Sequence, residues 1–190
     1  MNAQQMVEAL KQKFGDAVTG SKEQCGEHTI GVKLESVKQL LKYCHDELNF
    51  DYLVDISSLD HFHAEPRFEM VYELYGYGHH QHLRVKSLVS EDVSVPTVTD
   101  IWPTANWHER EVYDMMGITF DGHPDMRRIL MWEGYPFHPL RKDFPLAGKE
   151  SELPEVAFTG IAPLEGGPFV TSPGACGTVD AEPRAKRFET

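Results

Sequence analysis

The sequence predicts an α+β domain: a mostly antiparallel sheet with helices packed on it, followed by an extended, irregular C-terminal tail. Three observations carry this. Apolar residues at helical spacing come early, over residues 3–14 and 36–48. Three β-rich runs joined by short connections follow, which suits antiparallel neighbours. Residues 134–190 then hold eight of the twelve prolines and seven of the fifteen glycines, a composition suited neither to helix nor to sheet interior.

The first helix rests on Met6, Val7, Leu10 and Phe14, and Gly15 ends it. His28 to Leu34 alternates loosely and reads as a short strand. Ser36 is placed to cap a helix reaching about Leu48, with Val37, Leu40, Leu41, Cys44 and Leu48 on one stripe. The β-rich runs are Phe50–Leu59, Arg67–Tyr77 and His82–Val89. In the middle run Phe68, Met70, Tyr72 and Leu74 alternate with Glu69, Val71, Glu73 and Tyr75, so one face is packed and the other wetter. Asn106–Met116 reads as a helix stopped by Gly117, with Asn106 as N-cap and Glu109 completing a variant capping box. Arg110 is spaced to pair with Asp114, and Val112, Met115 and Met116 form its apolar side. The expected organisation is an α+β domain over 1–117, a docking segment over 118–145 and a Pro/Gly-rich tail over 146–190.

The 190 residues suffice for one core of ordinary size, and 41% apolar with 25% charged residues excludes a disordered, collagen-like or polytopic membrane chain. A net charge of −12 disfavours binding to a nucleic-acid backbone. Three scattered cysteines, Cys25, Cys44 and Cys176, fit a reducing compartment better than a disulfide framework. The N-terminal stretch lacks a basic region followed by an apolar one, and no window is apolar enough to span a bilayer. Any membrane link is therefore expected to run through a partner.

Familiar catalytic patterns are missing. Gly76-Tyr-Gly78 lacks the third glycine of a dinucleotide fingerprint, and there is no P-loop or nucleophile elbow. No CxxC is present, and His108-Glu109 has Val112 where a zincin needs its second histidine. His61 and His63, with His80 and His82 and the opposed His79, could meet a metal only if two strand ends approached each other. Exposed histidines at hairpin tips explain them as well. No catalytic, cofactor-binding or metal-binding residue is therefore assigned.

Residues 107–145 are the densest in charge and aromatics. Arg127-Arg128 and Arg141-Lys142 are basic pairs in an acidic chain, accompanied by Asp125 and Asp143, with Trp132, Tyr135, Phe137 and Phe144 interleaved. Arginine with aromatics on a segment of little regular structure fits an interface anchor set. An oxyanion site is the competing reading, since arginine forks carboxylates and phosphates.

This block resembles the C-type subunit of the proton-pumping NADH–quinone oxidoreductase, the 30 kDa subunit of respiratory complex I. The matching residues are Trp107, Glu109 to Ile118, His123-Pro124-Asp125, Arg127-Arg128-Ile129-Leu130, and Pro139-Leu140-Arg141-Lys142-Asp143-Phe144-Pro145. Two stretches depart from the family pattern: Tyr135-Pro136-Phe137, and Gly148 to Glu152, where the family has a tyrosine- and arginine-rich stretch.

The resemblance implies a peripheral-arm subunit without its own flavin or iron–sulfur cluster; FMN and the clusters are carried by other subunits. It implies packing on the large D-type subunit of the quinone module, with residues 146–190 lying on that partner, and a place on the cytoplasmic face of the cell membrane, or the matrix face if mitochondrial. The expected interface residues are Glu109, Arg110, Glu111, Asp114 and His123, then Asp125, Arg127, Arg128, Arg141, Lys142 and Asp143. The same module occurs in F420H2- or ferredoxin-linked relatives and in energy-converting hydrogenases. A stand-alone metal-dependent enzyme is the alternative of a different class.

Overall fold

In the computed structural model, which describes residues 3–132 and 134–145, seven strands and three α-helices follow in the order α1, β1, β2, α2, β3, β4, β5, β6, α3, β7. Helix α1 covers Ala3–Phe14 and α2 covers Leu34–Asp46. Strands β1 (Val18–Gln24), β2 (Glu27–Val32), β3 (Tyr52–Asp60), β4 (Phe68–Gly76) and β5 (Gln81–Val89) form one sheet in the order β1-β2-β5-β4-β3. Every pairing is antiparallel except β2 with β5. Two short strands, β6 (Val95–Pro96) and β7 (Phe120–Asp121), pair in parallel and flank helix α3 (Ala105–Met116). The α+β class and the antiparallel run β3-β4-β5 agree with the sequence reading.

The apolar stripes of the sequence become the core. Met6, Val7 and Leu10 of α1 and Val37, Leu40, Leu41 and Cys44 of α2 are buried. They meet Phe68, Met70, Tyr72 and Leu74 of β4 and Leu83, Val85 and Val89 of β5. The alternation anticipated in β4 is the alternation of the sheet's two faces. On the other face Glu69, Glu73, Arg84 and Lys86 pair across the strands.

One strand adds to the sequence reading, and two local expectations are corrected. Strand β1 carries no apolar alternation, because it is an edge strand with nearly all its side chains exposed, and so gave no periodic signal. Its hairpin turn is Cys25-Gly26, both at positive φ, as a two-residue turn of this hand requires. Helix α2 begins at Leu34, two residues before Ser36, and no side chain caps it. Helix α3 begins at Ala105, so Asn106 lies inside it and the expected capping box does not form. Its first N–H groups bond instead to carbonyls of the preceding turn: Ala105 to Trp102, Asn106 to Pro103 and Trp107 to Thr104. Gly117 does end the helix, left-handed at φ 76°.

The chain divides into two units, one reaching Tyr135 and a second from Pro136 onward. In the second, the described residues 136–145 form turns, with Arg141 N–H bonded to His138 and Phe144 N–H to Arg141, and with the rings of Phe137 and Phe144 in contact. The expected tail, 146–190, lies outside the described residues.

Candidate functional site

Asn106, Arg110 and Asp114 stand four residues apart and so share one face of α3. Along that face runs the irregular stretch 123–131, and each of the three helix positions holds part of its backbone or an adjacent ring. Asp125 N–H donates to His123 Nδ1 at 3.0 Å, which leaves His123 Nε2 as the donor to the Asn106 carbonyl at 3.3 Å. Arg110 donates through Nε to the Arg127 carbonyl and through Nη2 to the Arg128 carbonyl, at 3.0 and 3.1 Å. It does not take up the Asp114 partner that helical spacing offered.

Asp114 is the hub. Its Oδ2 accepts three successive backbone N–H groups, from Ile129 at 3.0 Å and from Leu130 and Met131 at 2.7 Å. Its Oδ1 accepts from Arg128 Nη1 at 2.5 Å. Arg128 also lies against the rings of Tyr113 and Tyr135. Burial alone would raise the Asp114 pKa. The Met131 N–H, the Arg128 guanidinium and the other two N–H groups outweigh it and hold the carboxyl below its usual range. A stretch with no strand or helix of its own must find partners for its N–H groups, and one carboxylate supplies three.

The inner side of α3 carries a second buried carboxylate. Glu109 is fully buried, accepting from the Thr97 hydroxyl at 2.6 Å and the Val98 N–H at 2.8 Å. His123 Nε2 lies 3.9 Å away, also enclosed. Burial pushes the Glu109 pKa up to about 7, although the Thr97 and Val98 bonds and the charge of Lys38 pull it down. Glu109 therefore ties Thr97 and Val98, the two residues that follow β6, to the helix; it does not act as a solvated charge near a helix end. Sequence reasoning missed Thr97 and Val98, and no motif marks them. A signal for Glu109 was present: it lies on the stripe of Ala105, Val112 and Met116, all buried.

The outer surface of this cluster is different in kind. Trp107 and Leu130 are each 61% exposed. The Arg110 guanidinium lies 5.2 Å over the Trp107 ring, and Arg127 forks the exposed Asp125 with two 2.7 Å bonds. Glu111 is exposed. Of the expected interface residues, Arg110, Asp114, His123, Asp125, Arg127 and Arg128 are thus gathered in one network, with Glu109 beneath it. Arg141, Lys142 and Asp143 belong to the second unit.

The histidines do not converge. Strand β3 ends at Asp60, so His61 and His63 lie in the connection to β4 rather than on a strand face. His79, His80 and His82 sit at the far end of β4, roughly 27 Å along the strand. His61 bonds Glu69, His79 bonds the Leu48 carbonyl and His80 bonds the Tyr75 hydroxyl. Among the described residues, no group of three or more His, Cys, Asp and Glu side chains is placed to hold a metal ion. No helix among the described residues is long and apolar enough to cross a membrane.

Comparison with known proteins gives the following. Residues 30–150 match the family described as the respiratory-chain NADH dehydrogenase 30 kDa subunit. A C-type NADH-quinone oxidoreductase subunit of Rhizobium meliloti (strain 1021) is 43% identical over 159 residues, covering 83% of this chain and 87% of the relative. Its counterpart in Geotalea uraniireducens (strain Rf4) is 42% identical over 144 residues, covering 75% and 88%. The counterpart in Roseiflexus sp. (strain RS-1) is 41% identical over 157 residues, covering 81% and 87%. Among solved structures, a chain of the membrane-bound sulfane sulfur reductase, an archaeal respiratory membrane complex, superposes with a TM-score of 0.66 at 26% identity. That match covers 75% of this chain and 85% of the other.

Proposed function

The chain belongs to the family of the respiratory-chain NADH dehydrogenase 30 kDa subunit, and from that premise we propose that it is a non-catalytic, peripheral-arm subunit of a proton-translocating NADH:quinone oxidoreductase. Its task is assembly and packing. It docks on the large D-type subunit of the quinone module while electrons pass from NADH through FMN and iron–sulfur clusters held by other subunits to quinone. The chain itself binds none of these groups. It reaches the membrane only through the complex, on the cytoplasmic face or its matrix equivalent.

The observation that supports this reading is the use to which the densest polar cluster is put. Arg110, Asp114, His123 and Arg128 hold the chain's own backbone, and Glu109 anchors the Thr97-Val98 segment beneath. The result is a rigid shelf that presents Trp107, Leu130 and the Arg127–Asp125 pair outward. A preformed exposed aromatic with a neighbouring arginine is what a protein interface uses as an anchor. Within such an interface the buried Glu109 and Asp114 act by positioning the shelf. Arg127, Arg141, Lys142, Asp143 and Glu111 are the groups proposed to face the partner.

The test is to solubilise membranes of the source organism, isolate this chain with its neighbours and identify them by mass spectrometry. Co-isolation with the large quinone-module partner, lost on Trp107→Ala or Arg127→Ala while the free chain still folds, is the expected result. Recovery of the chain alone would overturn it. The likeness to a sulfane sulfur reductase chain favours a second reading, membership of a related complex with another electron donor. NADH-dependent reduction of quinone by the isolated complex, against reduction driven only by ferredoxin, separates the two.

A further inference from the structure

The exposed rings of this chain are of two kinds. Four aromatic side chains among the described residues are exposed: Tyr52, Phe62, Tyr77 and Trp107. A ring face attracts a cation, and the chain supplies one for two of them. Arg67 lies 5.5 Å over Phe62, and Arg110 lies 5.2 Å over Trp107. Among the described residues, no Lys or Arg lies over Tyr52 or Tyr77.

These two rings belong to one cluster, at the end of the sheet where β3 begins and β4 ends. Tyr52 and Tyr75 are cross-strand partners. The Tyr77 ring stands 5.7 Å from Tyr52 and 5.0 Å from Tyr75, at 88° to the latter. Tyr75 is the fixed member: its hydroxyl meets His80 Nδ1 at 3.0 Å, and its ring lies 4.6 Å from His82. Asp51 stands beside the cluster and is exposed. Its Oδ1 accepts the Tyr77 N–H at 2.9 Å, and its Oδ2 has no partner among the described residues. Cross-strand pairing accounts for Tyr52 and Tyr75. It does not account for Tyr77, which lies beyond the strand and is 58% exposed.

The charge of the region sets the sign of the occupant. Residues 49–81 hold six carboxylates and one basic side chain, Arg67. Arg67 sits at the opposite end of β4, where Asp60 and Glu91 hold it. Open rings beside a half-used carboxylate suit a planar cation. A guanidinium stacks on a ring while donating to the carboxylate, whereas the ammonium of lysine is a compact point charge. We propose that Tyr52, Tyr77 and Asp51 form the seat of an arginine side chain from a neighbouring protein of the complex. The neighbour rests on the complex membership proposed above; the preference for arginine does not.

The probe is acetyl-Gly-Arg-Gly amide, with the matching citrulline peptide as its neutral twin. Added to the full-length chain with labelled tyrosine rings, the arginine peptide is expected to give saturable shifts of Tyr52 and Tyr77. The citrulline peptide gives none, and the lysine peptide binds more weakly. Asp51→Asn, which keeps an acceptor for the Tyr77 N–H, and Tyr77→Leu should each weaken the arginine peptide about two- to fivefold. Neither should lower the melting temperature, since both positions are exposed. Non-saturable shifts, equal binding of the citrulline or lysine peptide, or unchanged affinity in either variant would overturn the seat. In the membrane-extracted complex, p-benzoylphenylalanine introduced at Tyr77 should crosslink to an arginine-containing peptide of another subunit. Crosslinks confined to this chain or to peptides without arginine, in a complex that retains its quinone-module partner, overturn the proposal and leave the assembly reading standing. Recovery of the chain alone, with arginine still selected in solution, overturns the assembly reading and the docking with it.

Discussion

The sheet and the stretch 123–131 are stabilised by opposite means. In the sheet the ladders satisfy the backbone, and the side chains of Phe68, Met70 and Leu83 are free to build an apolar core with Leu40 and Leu41 of α2. In 123–131 no ladder exists, and polar side chains of α3 must do what a neighbouring strand would do: Asp114 accepts three N–H groups and Arg110 donates to two carbonyls. Burial is non-directional and tolerates substitution of like volume. A hub of directed bonds to one carboxylate does not. The irregular stretch therefore needs particular residues where the sheet needs only apolar ones, and that is why its sequence reads as a motif.

The largest effect expected from this contrast is at the hub. Asp114→Ala removes the acceptor of three N–H groups and leaves Arg128 half-buried and unpaired, a loss of about 3–5 kcal/mol. Hydrogen exchange at Ile129, Leu130 and Met131 should accelerate well before the sheet amides respond. Equal acceleration in both regions would break the comparison. In the core, Leu41→Ala is expected to cost about 2–5 kcal/mol. Here the denaturation midpoint should fall for the chain as a whole, with Leu41→Met close to neutral.

The two buried carboxylates of α3 should answer pH in opposite senses. The folded-state pKa of Glu109 is raised from 4.5 to about 7. The folded state then holds the proton that the unfolded state has lost, so stability falls as pH rises from about 4.5 to about 7, by about 3 kcal/mol, and is level beyond. Asp114, with its pKa lowered from 3.8, contributes stability above that value and loses it as pH falls below. Glu109→Gln keeps an acceptor for Val98 and a donor for Thr97, and should flatten the limb between pH 4.5 and 7 while leaving the acid limb intact. Unfolding free energies measured from pH 3 to pH 8 check both limbs. A slope unchanged by Glu109→Gln would place that titration elsewhere.

The smallest effect on stability is expected on the outer surface. Trp107→Ala and Arg127→Ala should leave the free chain's melting temperature essentially unchanged, because both side chains are mostly exposed. Both should lower recovery of the assembled complex. A drop in melting temperature would mean that the shelf depends on these side chains internally, as it does on Arg128.

By itself the sequence determined what repeats or stands alone as a pattern: the stripes of α1 and α2, the two-faced strand β4, the stop at Gly117, and the run Trp107–Pro145 that identifies the family. Each depends on residues near one another in the chain, where helix and strand periods translate spacing directly into a face. Tertiary structure decided the rest. Strand β1 is a strand because β2 lies beside it, not because of its own alternation. Helix α3 starts without the Asn106 cap because the carbonyls of the preceding turn reach its first N–H groups. Arg110 leaves its helical neighbour Asp114 for carbonyls 17 and 18 residues away, and Asp114 turns to N–H groups 15 to 17 residues on. Local spacing offered a charge pair worth a few tenths of a kcal/mol. The fold offered unsatisfied backbone groups whose neglect costs about 1–3 kcal/mol each, and the larger penalty chose the partners.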